Sequence, residues 1–363
     1  LLFPDQIEAE IQMSDEIIPI TGNFSDKLDR IWFTREPVPT ASGVAHALGW
    51  LNDEFEADGL RVDALEDLTR AQRNQFDRHH LPGLFREGGN IPALAARGEG
   101  APTRLIGLTW IDEWQAVLVR RETGPIDPVQ LRNLRIALPA YADTRGGSIV
   151  RGMSLAGIKG ALGIAGLTLD DAKFVDVSLS PTTDATADNL AHLWSGIDAL
   201  VEGRVDAVYV KGASAVEAAK RAGVIVGLDL DAYPSRLTRV NNGTPRPITV
   251  HQDMIDKHFD IVVRFLEQTL RAADWAANNL PALRTILQQE TYSGLIAVET
   301  AYRNNFHRSL HPDLSDERID LLKRQANFLW LHGFIDHAVD FESWIDRRPL
   351  EAAYARRAER EAA

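Results

Sequence analysis

The chain has 363 residues, 45% of them hydrophobic and 25% charged, with a formal net charge of −13 at neutral pH and no cysteine. That length accommodates two domains with full cores, and the composition is that of an ordinary globular protein. The acidic balance argues against nucleic acid or an anionic membrane as partner, and the missing cysteines exclude disulfides, thiolate metal sites and a cysteine nucleophile.

No stretch reaches the ~18 apolar residues needed to span a bilayer, so the chain is not expected to be membrane-spanning. Residues 1–28 are acidic and lack the basic-then-apolar order of a signal peptide. Localisation therefore stays open. A native start near Met13 implies a cytoplasmic protein, and a trimmed signal implies a periplasmic one.

Arg30 to Thr34 is a short apolar run suited to a first strand. The prolines of Arg35-Glu36-Pro37-Val38-Pro39-Thr40 then forbid helix. Residues 41–56 carry Val44, Leu48, Leu51 and Phe55 on one helical stripe, and Gly59 to Leu65 suggests a second strand, completing a βαβ unit. Residues 71–80 are polar and ambiguous. Phe85-Arg86-Glu87-Gly88-Gly89-Asn90-Ile91-Pro92 then reads as a loop opening a short helix. Two glycines free the backbone to turn, Asn90 can cap, and Pro92 is tolerated in the first turn. Free N–H groups at such a helix start attract an anion, and Arg86 adds a fixed positive fork beside them.

Strands are predicted over residues 103–110 and 115–120, with a proline-bearing connection over 123–133. The pattern then restarts. Leu134 to Pro139 is a strand, a second loop of the same kind ends in Arg145-Gly146-Gly147-Ser148, and Ile149 to Ile164 is helical. Strands near residues 174–177, 207–210 and 224–228 alternate with helices near 193–201 and 213–222, giving a second α/β domain. The Asn/Gly/Pro-rich residues 239–247 suit a crossing back. From Gln252 the chain is nearly all helix, over 254–278, 280–289, 294–305 and 316–332, with a charged tail from Pro349. Such helices must bury their apolar faces against something already built, most economically the first domain.

This order of units resembles the type II periplasmic-binding-protein fold. Leu200-Val201-Glu202-Gly203-Arg204-Val205-Asp206-Ala207-Val208 looks like the helix, Gly-x-Val-Asp-Ala and strand that recur in that superfamily. Within it the chain is most similar to the 2′-hydroxybiphenyl-2-sulfinate desulfinases and the sulfonate/nitrate-type solute-binding proteins. The likeness rests on Pro37-Val38-Pro39, Arg86-x-Gly88-Gly89-x-Ile91-Pro92, Thr103 to Thr109, and Phe341-Glu342-Ser343-Trp344. It implies a two-lobed α/β protein with an interlobe ligand cleft and extra C-terminal helices. The first lobe is expected over residues 1–125 plus 245–363, and the second over 126–244.

The desulfinases carry a catalytic cysteine directly before Pro-Val-Pro, an upstream histidine, and an arginine that holds the sulfinate together with a glycine N–H. Arg86 and Gly89 carry over. Glu36 stands at the cysteine position, and the histidine position falls near Phe76, with His79 and His80 displaced. The resemblance thus implies Glu36, Arg86, Gly88, Gly89, Trp110, Arg145, Gly147 and Ser148 as ligand-binding residues. Glu36, His79 and His80 are the candidates for acid–base work. Trp110 and Trp114 either stack on an aromatic ligand or pack in the core. Lys211, at a strand end, either approaches the cleft or is solvated.

No metal-ligand spacing and no phosphate-loop motif occurs, so neither metal nor cofactor is implied. The expected function is capture of a small organic anion, a sulfonate, sulfinate or carboxylate, as the solute-binding protein of an ABC-type uptake system, whose permease is then a partner. The alternative is a cytosolic desulfinase-like lyase or hydrolase working on an aromatic anion by a non-cysteine mechanism.

Overall fold

A computed structural model describes residues 28–65, 81, 83–142, 148–178, 194 and 196–362. The first lobe is built on a five-stranded sheet in the order β2-β1-β3-β10-β4. Its strands are β1 (Arg30–Phe33), β2 (Arg61–Ala64), β3 (Leu84–Glu87), β4 (Thr103–Thr109) and β10 (Arg246–His251). The second lobe holds β5 (Gln115–Val119), β6 (Arg135–Pro139), β7 (Lys173–Val177), β8 (Val208–Lys211) and β9 (Ile225–Asp229). There β5 lies between β8 and β9, β6 pairs with β7, and an Ile136–Ala207 bridge joins the two groups.

Each lobe contains one strand of reversed direction, for the same topological reason. β1 runs parallel to β2 and β3, while β10 is antiparallel to both β3 and β4. In the second lobe β5 is antiparallel to β8 and β9. The reversed strands are the two that arrive from the opposite lobe. They start at the edge where the parallel strands end, and this edge of open α/β sheets is where ligands bind. β5 pairs with β8 and β9, so the chain passes from one group of strands to the other between Thr109 and Gln115. The return crossing lies over residues 240–245.

The helices are α1 (Ala41–Ala47), α2 (Trp50–Glu56), α3 (Asn90–Gly98), α4 (Ile149–Ile164), α5 (Gly196–Val201), α6 (Gly212–Ala222), α7 (Gln252–Lys257) and α8 (Phe259–Asn278), then α9 (Leu280–Thr291), α10 (Leu295–Ala301), α11 (Asp316–Leu331), α12 (Phe341–Trp344) and α13 (Arg348–Ala362). The single helix expected over 41–56 is two, since Gly49 takes a φ of 79° between them. Thr40 caps α1 by accepting the Gly43 N–H at 3.1 Å. The C-terminal helices return to the first lobe, where α8 packs on α1 and Phe265 stacks on Phe85 of β3 at 3.9 Å. One of them also reaches across. α10 lies on α6 of the second lobe, and Gly294 N–H donates to Glu217 at 3.0 Å. Among the described residues no helix is long and apolar enough to cross a membrane.

Candidate functional site

Arg86 lies on a strand, β3, and the Gly-rich turn begins only at Gly88. The sequence reading of Phe85–Pro92 as a loop opening a short helix missed this strand because all its residues are buried and show no alternation. Arg86 is 4% exposed, and its Nη1 donates to the Gly89 carbonyl at 2.9 Å. A Cβ on Gly88 would come within 2.5 Å of the Arg86 guanidinium carbon. Glycine at 88 is thus what lets the guanidinium lie against the turn.

The cap of α3 differs from expectation. Gly89 is the N-cap, and Asn90 is already helical, donating Nδ2 to the carbonyls of Asn241 and Pro245 at 2.7 and 2.9 Å. The capping oxygen comes from Asn242 on the return crossing, whose Oδ1 accepts the Ile91 N–H at 3.0 Å. A Cβ on Gly89 would clash with that amide at 2.3 Å. The turn and the crossing are therefore locked face to face, which fixes where the α3 N-terminus points.

Glu36 is paired across the sheet rather than along its own loop. Arg35 instead donates to Glu290 at 3.0 Å. The cation beside Glu36 is Arg246, with Nη1 3.7 Å from Oε2. Arg246 opens β10 opposite Thr109, at the same edge as Glu87. Glu87 is buried and fully engaged. Its Oε2 accepts from Ser42 N and Oγ at 3.1 and 2.6 Å, and Oε1 accepts from Thr109 Oγ1 at 3.1 Å. Burial pushes the Glu87 carboxyl above its ordinary pKa, against the hydrogen bonds from Ser42 and Thr109 and the charge of Arg246.

On the second lobe's side of the edge, Lys211 ends β8 opposite Gln115. It is neither free nor solvated. Its Nζ binds the Glu113 carboxylate and donates to the Asn242 carbonyl at 3.1 Å. Tyr302, just after α10, is buried. Its hydroxyl is held well above its ordinary pKa, first by burial and then by the Glu113 charge. Sequence reasoning missed Arg246, Glu87, Glu113 and Tyr302. The usable signal was the alternation of Ile248 and Val250, which marks a strand whose first residue must sit at the edge.

Trp110, expected either to stack on a ligand or to pack in the core, is buried. It is 1% exposed in a cluster with Val240 and Leu321, with the Arg236 guanidinium over its ring at 5.2 Å. Trp114 is likewise buried in the core. Ser148 precedes α4 without capping it through its side chain. Its Oγ accepts the Ala142 N–H at 3.1 Å. His79, His80, Arg145 and Gly147 lie outside the described residues.

No protein-family model matches the chain. The 2′-hydroxybiphenyl-2-sulfinate desulfinase of Rhodococcus erythropolis is 25% identical over 353 residues, covering 87% of this chain and 91% of its own. The crystal structure of the desulfurization enzyme DszB superposes with a TM-score of 0.70 at 23% identity, over 91% of this chain and 99% of that one. The periplasmic aliphatic sulphonate binding protein SsuA from Escherichia coli gives 0.61 at 14% identity, over 88% and 93%. The chain has the two-lobed type II periplasmic-binding-protein fold shared by these proteins.

Proposed function

We propose that this chain captures a small organic anion between its lobes, a sulfonate, sulfinate or carboxylate with an apolar or aromatic body. In this reading it is the solute-binding component of an ABC-type uptake system, handing its cargo to a permease, and performs no covalent chemistry. One observation carries the reading: the buried Arg86 and the Gly88–Gly89 turn sit at the edge where the parallel strands of the first sheet end, in a chain with no cysteine. The likeness to sulfonate-binding proteins supports it. An anion at the start of α3 would meet the Arg86 charge and the N-terminal dipole together. Glu36 would face a non-anionic part of the ligand, since two negative groups at one spot repel.

Titration calorimetry with a panel of organic sulfonates, sulfinates and carboxylates tests the proposal. Arg86→Ala should cost about 2–5 kcal/mol of binding, the scale for truncating a buried hydrogen-bonded charge. Equal affinity of wild type and variant would dismiss the clamp. The similarity to the desulfinases favours a second reading, a cytosolic lyase or hydrolase acting on an aromatic anion through Glu36. Sulfite released from a 2-arylsulfinate above the protein-free rate, and lost in Glu36→Gln, would establish that reading instead.

A further inference from the structure

Two buried residues at the edge carry polar groups that lack hydrogen-bond partners, and they come from distant parts of the chain. Nε and Nη1 of Arg246 have none, although the guanidinium is only 3% exposed. The Tyr302 hydroxyl has none at hydrogen-bond distance either, and it faces the Glu113 carboxylate, whose charge and side-chain attraction for the phenolic proton add to burial in raising its pKa. A buried donor left unmade carries the full penalty of its desolvation. The neighbours do not relieve it. Both oxygens of Glu87 are occupied by Ser42 and Thr109, Glu36 stops 3.7 Å away, and Glu113 is held by Lys211.

The return crossing is also shaped around this guanidinium. Gly243 adopts a φ of +98°, and a Cβ there would lie 2.6 Å from Arg246 Nη2. A side chain at 243 would collide with the guanidinium.

Resting on the anion-capture reading, we propose that Arg246 and Tyr302, with Glu36 beside them, form a second polar seat. It takes an uncharged oxygen on the body of the ligand whose anionic head is held at Arg86. The charge balance selects an uncharged group. Arg246 and Lys211 are set among three carboxylates, Glu36, Glu87 and Glu113, so a second anion would enter a region already compensated or negative. A hydroxyl or carbonyl oxygen accepts from Arg246 and Tyr302 without that repulsion. A hydroxyl can also donate to Glu36.

Binding at pH 7 of benzenesulfonate, 3- and 4-hydroxybenzenesulfonate and benzene-1,4-disulfonate tests the seat. Wild type should bind the better hydroxylated compound about ten-fold tighter than benzenesulfonate, the worth of one hydrogen bond to a charged group, and the disulfonate no tighter. Tyr302→Phe and Arg246→Met should each cut that preference, taken as the ratio to the same variant's benzenesulfonate affinity, to about two-fold or less. Ligand-free Tyr302→Phe should melt no lower than wild type, because it deletes an unsatisfied hydroxyl. A tyrosine with a purely structural hydrogen bond would melt lower.

An Arg86-dependent benzenesulfonate signal without hydroxyl preference removes the seat and leaves the anion-capture reading standing. A preference that survives in Tyr302→Phe, or a disulfonate that binds tightest, also removes the seat. No binding by any of the four refutes both.

Discussion

Asp231 sits where the two crossings and the C-terminal helices meet, and it is the carboxylate whose burial is least well compensated in that cluster. Its Oδ2 is 3.1 Å from Arg303 Nη2 and its Oδ1 is 3.8 Å from Arg239 Nε, with Asp229 as a like-charged neighbour. Burial wins over both arginines, pushing the pKa from an ordinary 3.8 to about 6. An acid whose folded pKa is raised binds its proton more tightly folded than unfolded. Its contribution to stability therefore falls as pH rises from about 4 through about 6.

At about 1.4 kcal/mol per pH unit, the interval corresponds to roughly 3 kcal/mol withheld above pH 7. Asp231→Asn removes the ionisation while Arg303 keeps Asp229 at 3.0 Å and Arg239 keeps Asp112 at 3.2 Å. The variant should then match wild type at pH 4 and melt about 4 °C higher at pH 8. Melting curves of both proteins from pH 4 to 8 give the comparison. An asparagine variant that melts below wild type at pH 8 would show that the arginine pairing outweighs burial.

Gly88→Ala should displace the Arg86 guanidinium and weaken organic-anion binding about ten-fold or more, with a melting temperature close to wild type. Calorimetry beside a thermal melt separates the two effects. Asp206 receives Arg135 Nη2 at 2.8 Å, Arg135 Nε and N, and Arg120 Nη2 at 3.3 Å, and the Arg135 side-chain bonds come first in holding its carboxyl well below the usual range. Asp206→Asn should lower the melting temperature at pH 7 by roughly 2–4 °C. Because the folded pKa is depressed, that gap should shrink only as pH falls below about 4.

The fold was largely legible because its units are local. Periodicity located the helix Ile149–Ile164 and strands near β4 to β9, and the Asn/Gly/Pro cluster at 239–247 marked the crossing. The two strands it missed are the ones that build the site. β3 is four buried residues with no alternation, and β10 begins with Arg246-Pro247, where the proline read as a loop. In the fold Pro247 does without its N–H, and its carbonyl accepts from Gly88 at 3.3 Å.

Arg86 and the glycines were visible because one short segment holds them. Arg246 beside Glu36, Asn242 capping α3, and Tyr302 near Glu113 are meetings of residues far apart in sequence. Only topology creates them. The packing of Trp110 against Leu321, from a helix far downstream, is another such meeting.

Glu36→Cys offers a last test, because it restores the residue type of the desulfinases and gives the chain its sole thiol. The glutamate side chain is 24% exposed, so an alkylating reagent can reach the position. The thiol ends two bonds short of the carboxylate oxygens, placing sulfur roughly 5–6 Å from the Arg246 guanidinium, within the range where an opposite charge still favours ionisation. Partial exposure keeps the opposing desolvation modest. Half-maximal alkylation is expected about one pH unit below the ~8.5 of a free cysteine, and Arg246→Met should return it toward that value.

Turnover is a separate matter. The desulfinase resemblance assigns a histidine to a position near Phe76, and in this sequence His79 and His80 are displaced from it. Glu36→Cys should therefore alkylate readily yet release no sulfite from a 2-arylsulfinate. Alkylation centred at or above pH 8.5 would mean that Arg246 does not face position 36 in solution, while sulfite release by the single variant would show that the histidine is dispensable on this scaffold.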